Sequence, residues 1–240
     1  MASLGQGKLG KWIESFFFPI EKYPGRVSIL MEWIQSDLNP GSVVLDCGAG
    51  RGRTPYSLGN KVDKIVGLDL IEEVLENPFL DETYVCDAIN TPFDNNVFDA
   101  IFSLTVLEHI ENPKAFLQEM FRILKPGGGF YFITPNSYHY FVWISRIVGE
   151  RVARIIQKKR GLLEEDHFPT FYRLNSLKIL RKLGVQLGFK SVELCFYEGS
   201  DVVTYWPTIL KPLAIIYAKL VNNIHLLHIF KAIIIGKMTK

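Results

Sequence analysis

The sequence predicts one α/β domain in which parallel strands end in ligand-binding loops. Residues 43–47 are an apolar, β-branched run, typical of a strand buried on both faces, and glycines follow at positions 48, 50 and 52. A second apolar run, residues 64–70, ends in a carboxylate, and residues 113–124 show a helical pattern between later apolar runs. Strands that alternate with helices in this way favour a parallel sheet.

Composition limits the classes of function. The 240 residues suffice for one substantial core, and 48% of them are hydrophobic. A formal net charge of +2 gives no reason to expect a nucleic acid partner. Cys47, Cys86 and Cys195 lie far apart, so neither a zinc site nor a disulfide framework is expected. We therefore expect a reducing, cytoplasmic location, and the N-terminal residues show no secretion signal.

The glycine-rich loop at residues 48–52 is the first candidate binding element. Its glycines allow a sharp turn and a close approach to a ligand. The dinucleotide fingerprint needs its third glycine at position 53, where this chain has Arg53, so pyrophosphate binding is poorly supported. An ordinary turn between strand and helix is the alternative.

Two acids follow the next predicted strands. Asp69 lies 23 residues after Asp46, where the second strand of a Rossmann-like unit presents an acid to ribose hydroxyls. A helix-capping acid is the alternative for Asp69. Asp87 ends a predicted third strand over residues 84–88 and is suited to accept a hydrogen bond from an exocyclic amine.

The remaining elements follow from periodicity and capping signals. Apolar residues at helical spacing predict a helix over residues 27–34, and residues 71–80 are expected to be short and partly irregular. Asn175 and Ser176 are expected to cap a helix over residues 177–187. Further strands are predicted over residues 97–103, 130–134 and 190–197.

Four successive segments resemble the motifs of class I S-adenosylmethionine-dependent methyltransferases of the small-molecule or lipid type, similar to methyltransferase type 11. They read VLDCGAGRG, IVGLDL, CDAINTPFDNNVFDAIFSLTVLEHI and ILKPGGGFYFITPN, and they cover residues 43–136. The resemblance implies a Rossmann-like, seven-stranded, mostly parallel sheet with an antiparallel last strand at residues 230–237, helices on both faces and helical insertions. Residues 1–240 would form one domain, with its cofactor-binding core at 43–136 and insertions at 137–187 and 205–228.

The resemblance also implies the cofactor and its binding residues. S-adenosylmethionine would contact the glycine loop through its methionine part, Asp69 through its ribose and Asp87 through its adenine amine. Ubiquinone-pathway O-methyltransferases place a further metal-binding glutamate where this chain has Thr105, so no metal is expected. The predicted cofactor-binding residues are Asp46, Gly48, Ala49, Gly50, Gly52, Asp69, Leu70, Asp87, Ala88 and Ser103.

Methyl transfer from a sulfonium mainly requires alignment of the acceptor atom with the sulfur–methyl bond. A base is needed if the acceptor is a hydroxyl, and histidine titrates in the useful range. His167 is the first candidate, because its segment has the least reason to exist in a bare cofactor domain; His109 and His139 follow. A capping or core histidine is the alternative for each.

Two segments outside the core predict a lipid-linked or membrane-delivered acceptor, such as a sugar-lipid or a polyprenyl compound. Residues 141–160 combine an apolar helical stripe with six basic side chains, and residues 206–221 are apolar but too short to span a bilayer. We therefore expect a peripheral enzyme on an anionic cytoplasmic membrane face. The alternatives are a packed helix with a solvated basic face, a lid over a soluble small molecule, or a dimer interface; the oligomeric state stays open.

Two functions from other classes remain. A nicotinamide-dependent oxidoreductase would share the strand order through Asp69, but Arg53 interrupts its fingerprint and Asp87 would have no role. A catalytically silent, methyltransferase-like binding module would retain the fold and lose the cofactor. The glycines and acids of the predicted site argue against that module.

Overall fold

The structure is a computed structural model that describes residues 12, 15–19, 23–52, 57–144, 147, 168–200 and 210–240. Two compact units are distinguished. The sheet unit comprises Val27–Thr134, Thr170–Cys195 and Ile234–Lys240, and the insertion unit comprises Met1–Arg26, Pro135–Pro169 and Phe196–Ile233. The α-helices that are described over their full length are α1 (Arg26–Asp37), α2 (Pro113–Ile123), α3 (Leu177–Leu187) and α4 (Lys211–Asn223). The strands are β1 (Ser42–Cys47), β2 (Val62–Asp69), β3 (Glu82–Val85), β4 (Phe98–Leu104), β5 (Leu124–Pro135), β6 (Ser191–Tyr197) and β7 (Ile233–Thr239).

The seven strands form one sheet in the order β3-β2-β1-β4-β5-β7-β6. The pairs from β3 to β5 are parallel. Strand β7 is antiparallel to its neighbours, because its C-terminal end bonds to their N-terminal ends: Gly127 N donates to Lys240 O at 3.0 Å, and Lys190 N donates to Thr239 O at 2.7 Å. The predicted fold class, with its antiparallel last strand, is confirmed.

Burial explains why the central strands are rich in apolar residues. Val44, Leu45, Ile101, Phe102 and the run Phe130–Ile133 are all buried. Strand β1 lies between β2 and β4. Strands β2 and β3 follow on one side of β1, and the chain then crosses to the other side of β1 to form β4 and β5. Ligands of open α/β sheets bind at such a reversal of strand order, outside the carboxyl ends of the strands.

The predicted helices begin at their expected caps. Asn112 Oδ1 accepts a hydrogen bond from Ala115 N at 3.2 Å, and Pro113 opens α2. Ser176 Oγ accepts from Ile179 N at 3.4 Å, and Gly188 ends α3 in the left-handed conformation. The region after β2 is irregular, as expected, and holds only a short 3-10 helix, Glu72–Glu76.

Three strand boundaries differ from the predictions. Strand β3 ends at Val85, so Asp87 follows the strand instead of ending it. Strand β5 begins at Leu124, because Leu124 pairs with Phe98 and the glycines of the PGGG run pair with the chain end. Residues 225–230 form a 3-10 helix, which delays the last strand to Ile233.

The insertion segments are only partly described. Of the basic segment 141–160, residues 141–144 and 147 are described; of the apolar segment 206–221, residues 210–221 are. The rest lies outside the described residues. Within the described parts of the chain, no helix is long and apolar enough to cross a membrane.

A buried carboxylate braces the loop that joins β3 to β4. Glu119 on α2 accepts hydrogen bonds from Thr91 N at 2.8 Å and Thr91 Oγ1 at 2.6 Å. Arg122 donates to Glu119 through Nε at 2.8 Å and to Phe93 O at 2.7 Å. Burial opposes ionisation of Glu119, but the bonds from Arg122 and Thr91 outweigh it and lower the pKa to about 2. The network therefore fixes residues 91–95 against α2.

The substitution Glu119→Gln should lower the free energy of unfolding at pH 7 by about 2 kcal/mol, since it removes charge-assisted hydrogen bonds. Folding lowers this pKa from 4.5, so the contribution is fully present above pH 4.5 and is lost as the pH falls towards 2. Urea denaturation measures the free energy of unfolding of both proteins. The difference between wild type and variant should become smaller as the pH falls from 4.5 towards 2. The exposed Glu76→Gln serves as control, and an equal effect there would contradict the prediction.

Candidate cofactor-binding site

The glycine loop after β1 is held to the end of β2 by backbone hydrogen bonds. Gly48 N and Ala49 N both donate to Leu68 O, at 2.9 and 3.1 Å. Gly48, Gly50 and Gly52 have φ values of 85°, 49° and 73°, all in the left-handed region that side chains disfavour. The sharp turn that the glycines predicted is therefore present.

The three glycines differ in what a Cβ atom added at each position would contact. A Cβ at Gly48 would lie 2.2 Å from Val106 Cγ2, and one at Gly52 would lie 2.5 Å from Asn77 Oδ1. Among the described residues, a Cβ at Gly50 would have only Asp69 Oδ2 near it, at 3.9 Å. Protein atoms thus occupy the space beside Gly48 and Gly52, whereas the described neighbour of Gly50 is the Asp69 carboxylate.

Val106 reaches the glycine loop through an unusual turn. Thr105, directly after β4, has a φ of 58°, which is a rare conformation for a β-branched residue. Thr105 N donates to Ile133 O at 2.9 Å and holds the turn in place. The strained backbone is therefore located at the same sheet edge as the glycine loop.

Asp69 is fixed beside Gly50 by three backbone donors. Its Oδ2 accepts from Gly50 N at 2.9 Å, and its Oδ1 accepts from Leu70 N at 2.7 Å and Ile71 N at 3.3 Å. Each oxygen of a carboxylate has two acceptor sites, so Oδ2 retains capacity for a further donor. The half-buried carboxylate is thus preorganised to accept a ligand hydroxyl.

Asp87 lies at the next strand end. Cys86 N donates to Asp69 O at 2.9 Å, which joins the two predicted acid positions through the backbone. Asp87 Oδ1 accepts from Ile89 N at 3.1 Å, and the Asp87 side chain is exposed. Leu70 and Ile89 are also exposed, although both are large apolar side chains. Acids and apolar side chains therefore alternate along one sheet edge, which suits a ligand with a flat ring and polar rim.

The other predicted cofactor residues are less accessible. Asp46, Ala88 and Ser103 are buried, and the Ser103 hydroxyl has no hydrogen-bond partner among the described residues. Asp46 of β1 pairs with Gly67 of β2 and lies one residue before the end of β1. Burial, followed by the charges of Asp46 and Asp69, raises the pKa of the Cys47 thiol. Cys47 is therefore a thiol, and the charge at this sheet edge comes from carboxylates.

Asn77 is a site residue that the sequence analysis missed. Its Nδ2 donates to Ala49 O and Gly50 O, both at 3.2 Å, and its Oδ1 accepts from Phe79 N at 3.1 Å. Arg51 forms a parallel link to Glu73 at 2.5 Å. The short 3-10 region after β2 thus clamps the glycine loop from outside. A lone asparagine in an irregular segment carries no motif, so no sequence signal identified it.

The three candidate histidines have different surroundings. His109 ends a 3-10 turn, Leu107–His109, directly after β4 and is half-buried. His139 belongs to the insertion unit and is buried, with Nε2 4.0 Å from Glu198 Oε2 and Nδ1 accepting from Phe141 N at 3.3 Å. Burial lowers the pKa of His139 to about 4 despite that carboxylate. His167 lies outside the described residues.

The segment that follows His167 is attached to the turn that carries His109. Phe171 N and Tyr172 N donate to Glu108 O at 2.8 and 3.1 Å. The buried Glu108 carboxylate accepts from Thr134 Oγ1 at 3.3 Å, and Asn175 Nδ2 donates to the same hydroxyl at 2.7 Å. Residues 171–175 are therefore joined to the carboxyl ends of β4 and β5 within the sheet unit. Among the described residues there is no cluster of three or more metal-ligating side chains.

The substitution Asn77→Asp should weaken S-adenosylmethionine binding about tenfold. The asparagine amide donates hydrogen bonds to the carbonyl oxygens of Ala49 and Gly50, whereas an aspartate carboxylate would repel both oxygens. Isothermal titration calorimetry measures the affinity, and thermal unfolding checks that the variant folds. The exposed Asn39→Asp is the matched control and should bind normally. A folded Asn77→Asp protein with unchanged affinity would show that the clamp does not position the loop.

Comparisons with known proteins show which family and which fold this chain resembles. Residues 45–132 match the family model described as a methyltransferase domain. The mitochondrial ubiquinone biosynthesis O-methyltransferase of Rattus norvegicus is 30% identical over 130 residues, which are 49% of this chain and 38% of that protein. The chain thus spans about two fifths of the length of such curated relatives.

Solved structures show the same fold. The YcgJ protein of Bacillus subtilis superimposes on this chain with a TM-score of 0.56 at 15% identity. The superposition includes 90% of this chain and 97% of the YcgJ chain. Phosphoethanolamine N-methyltransferase 2 of Haemonchus contortus, in complex with S-adenosyl-L-methionine, gives a TM-score of 0.52 at 15% identity, covering 98% of this chain and 57% of its own. Residues 45–132 therefore match a methyltransferase domain, and the structural likenesses show that the chain has the fold of these proteins.

Proposed function

We propose that this protein transfers the methyl group of S-adenosylmethionine to a small-molecule acceptor. The observation that carries the proposal is that the Asp69 carboxylate accepts a hydrogen bond from Gly50 N of the glycine loop, while Cys86, the residue before Asp87, donates to Asp69 O. The methyltransferase-domain match over residues 45–132 supports it independently. A dinucleotide-binding oxidoreductase leaves Asp87 without a role, and a silent binding module leaves the preorganised acid unexplained.

The residues of the site fit the parts of the cofactor. The loop from Gly48 to Gly52 would hold the methionine part, and Asp69 would accept from the ribose hydroxyls. Asp87 would accept from the adenine amine, while the exposed Leu70 and Ile89 side chains would cover the faces of the ring. When bound, the cofactor supplies an electrophilic methyl group. The protein then has to orient the acceptor, exclude water and remove a proton where the acceptor is a hydroxyl.

His167 is the base that we propose first. It directly precedes the segment 168–175, which is joined through Phe171 and Tyr172 to the turn after β4. That attachment supports an acceptor-side role for the segment. His109 is the second candidate, because it stands in the same turn. His139 is the third, since its low pKa keeps it neutral at pH 7 but its burial limits contact with an acceptor.

The finer proposal is that the acceptor is lipid-linked or delivered by a membrane. The basic segment 141–160 and the apolar segment 206–221 support it, because a methyltransferase core needs neither. We further propose that the protein acts peripherally on the cytoplasmic face. To identify the acceptor, cell extracts would be incubated with the protein and methyl-labelled S-adenosylmethionine, and labelled products would be sought in the aqueous and lipid fractions by mass spectrometry.

The substitutions Asp69→Ala and Gly50→Val should each weaken S-adenosylmethionine binding on the order of a hundredfold, by loss of the ribose acceptor and by blocking the loop. Calorimetric titration of folded wild type and variants measures the affinity for S-adenosylmethionine. A parallel titration of wild type with NAD should show no binding. Asp63→Ala, at the exposed opposite end of β2, is the control. Wild-type affinity in both variants, or preferential NAD binding, would refute the assignment.

The substitution His167→Gln should lower the turnover of the labelled product by about a hundredfold or more while leaving cofactor affinity unchanged, as expected for loss of a general base. His225→Gln, at an exposed position in the insertion unit, is the matched control. Equal turnover in His167→Gln and wild type would transfer the role to His109 or His139, or remove the need for a base.

A further inference from the structure

We infer that a bipartite surface of the insertion unit binds anionic lipid bilayers, through the outer face of α4 and an N-terminal aromatic cluster. The inference rests on the proposed function only for the reason to approach a membrane, because lipid binding itself requires no turnover. We call the exposed apolar side chains of α4 and the turn after it the apolar face. Its members are Leu213, Ile216, Leu220, Ile224, Leu226 and Ile229.

The apolar face is the opposite side of a well-packed helix. Ala214, Ile215, Ala218 and Val221 are buried, whereas Leu213 is 61% exposed and Leu226 is 82% exposed. The outer positions 213, 216 and 220 recur at helical spacing, so their side chains form one stripe. Helix α4 is apolar on its outer side as well as on its buried side. An exposed apolar helix face of this kind is suited to contact a second apolar surface.

The aromatic cluster borders this stripe. Trp12 stacks on Phe16 with ring centroids 5.6 Å apart, and Phe16 meets Phe17 edge to face at 5.1 Å; all three are exposed. Lys219 Nζ donates to Phe17 O at 2.7 Å, and Lys219 lies beside Leu220 on α4. The same ammonium lies 5.0 Å from the centre of the Phe18 ring. The aromatic cluster is therefore fixed to the helix that carries the apolar face.

Charge identifies the occupant. Residues 202–233 contain no aspartate or glutamate, and Lys219, Lys231 and two histidines accompany the apolar face. A symmetric contact between two copies would bring the charges of Lys219 and Lys231 together with those of the second copy, which opposes association. An anionic lipid surface would attract them and accept the apolar side chains, and tryptophan favours the interface between headgroups and acyl chains. Aromatic, aliphatic and basic groups on one element are typical of monotopic membrane binding.

Vesicle cosedimentation of the full chain tests the inference. Wild type should bind vesicles of phosphatidylglycerol and phosphatidylcholine at low salt and should bind pure phosphatidylcholine far more weakly. Leu213→Ser and Trp12→Ser should each weaken binding at least about tenfold, because each removes one inserted side chain. Val185→Ser is the matched control, since Val185 is a 69% exposed aliphatic residue on helix α3 of the sheet unit.

The inference would be overturned by no binding of wild type to the anionic vesicles, by unchanged binding of Leu213→Ser or Trp12→Ser, or by an equal loss in Val185→Ser. A concentration-dependent dimer that Leu213→Ser abolishes, without vesicle binding, would also overturn it and assign the face to a second copy. Calorimetric affinity for S-adenosylmethionine is measured on the same samples. Intact cofactor binding without vesicle binding would refute this inference alone, whereas vesicle binding without cofactor binding would refute the proposed function alone.

Discussion

The hydrogen bonds that attach the glycine loop to the end of β2 are the constraint on which the site depends. Leu68 O receives the N–H groups of Gly48 and Ala49, and Asp69 receives that of Gly50. A parallel pair of buried strands thus places a flexible loop against a fixed acid. Without those bonds, glycines at three alternate positions would leave the loop with many conformations, since glycine restricts the backbone least.

The same constraint explains why neighbouring side chains are what they are. Val106 fills the space beside Gly48, and Asn77 fills the space beside Gly52, so larger residues at either glycine would collide with them. Among the described residues, the neighbour of Gly50 is Asp69, whose carboxylate has backbone donors on both oxygens. Gly48 and Gly52 therefore serve packing against Val106 and Asn77, whereas Gly50 serves the hydrogen bond to Asp69.

The sequence predicted the parts of this arrangement that depend on local pattern. Buried strands such as β1 and β4 are mainly apolar, and the caps at Asn112 and Ser176 follow residue preferences that act over one helical turn. Asn77 was missed because its role arises from contact with Ala49, which is remote in sequence and signalled by no motif. The start of β5 was missed for a similar reason, since its glycines gain strand character by pairing with Ala100 of β4 and with Lys240, both remote in sequence.

The central claim is that S-adenosylmethionine binds where Gly50, Asp69 and Asp87 meet. A crystal structure of the protein with the product S-adenosylhomocysteine tests it most directly. The account predicts ribose hydroxyls within hydrogen-bond distance of the Asp69 carboxylate, the adenine amine at Asp87 and the amino acid part along Gly48 to Gly52. A ligand bound elsewhere, or one whose ribose makes no contact with Asp69, would contradict it.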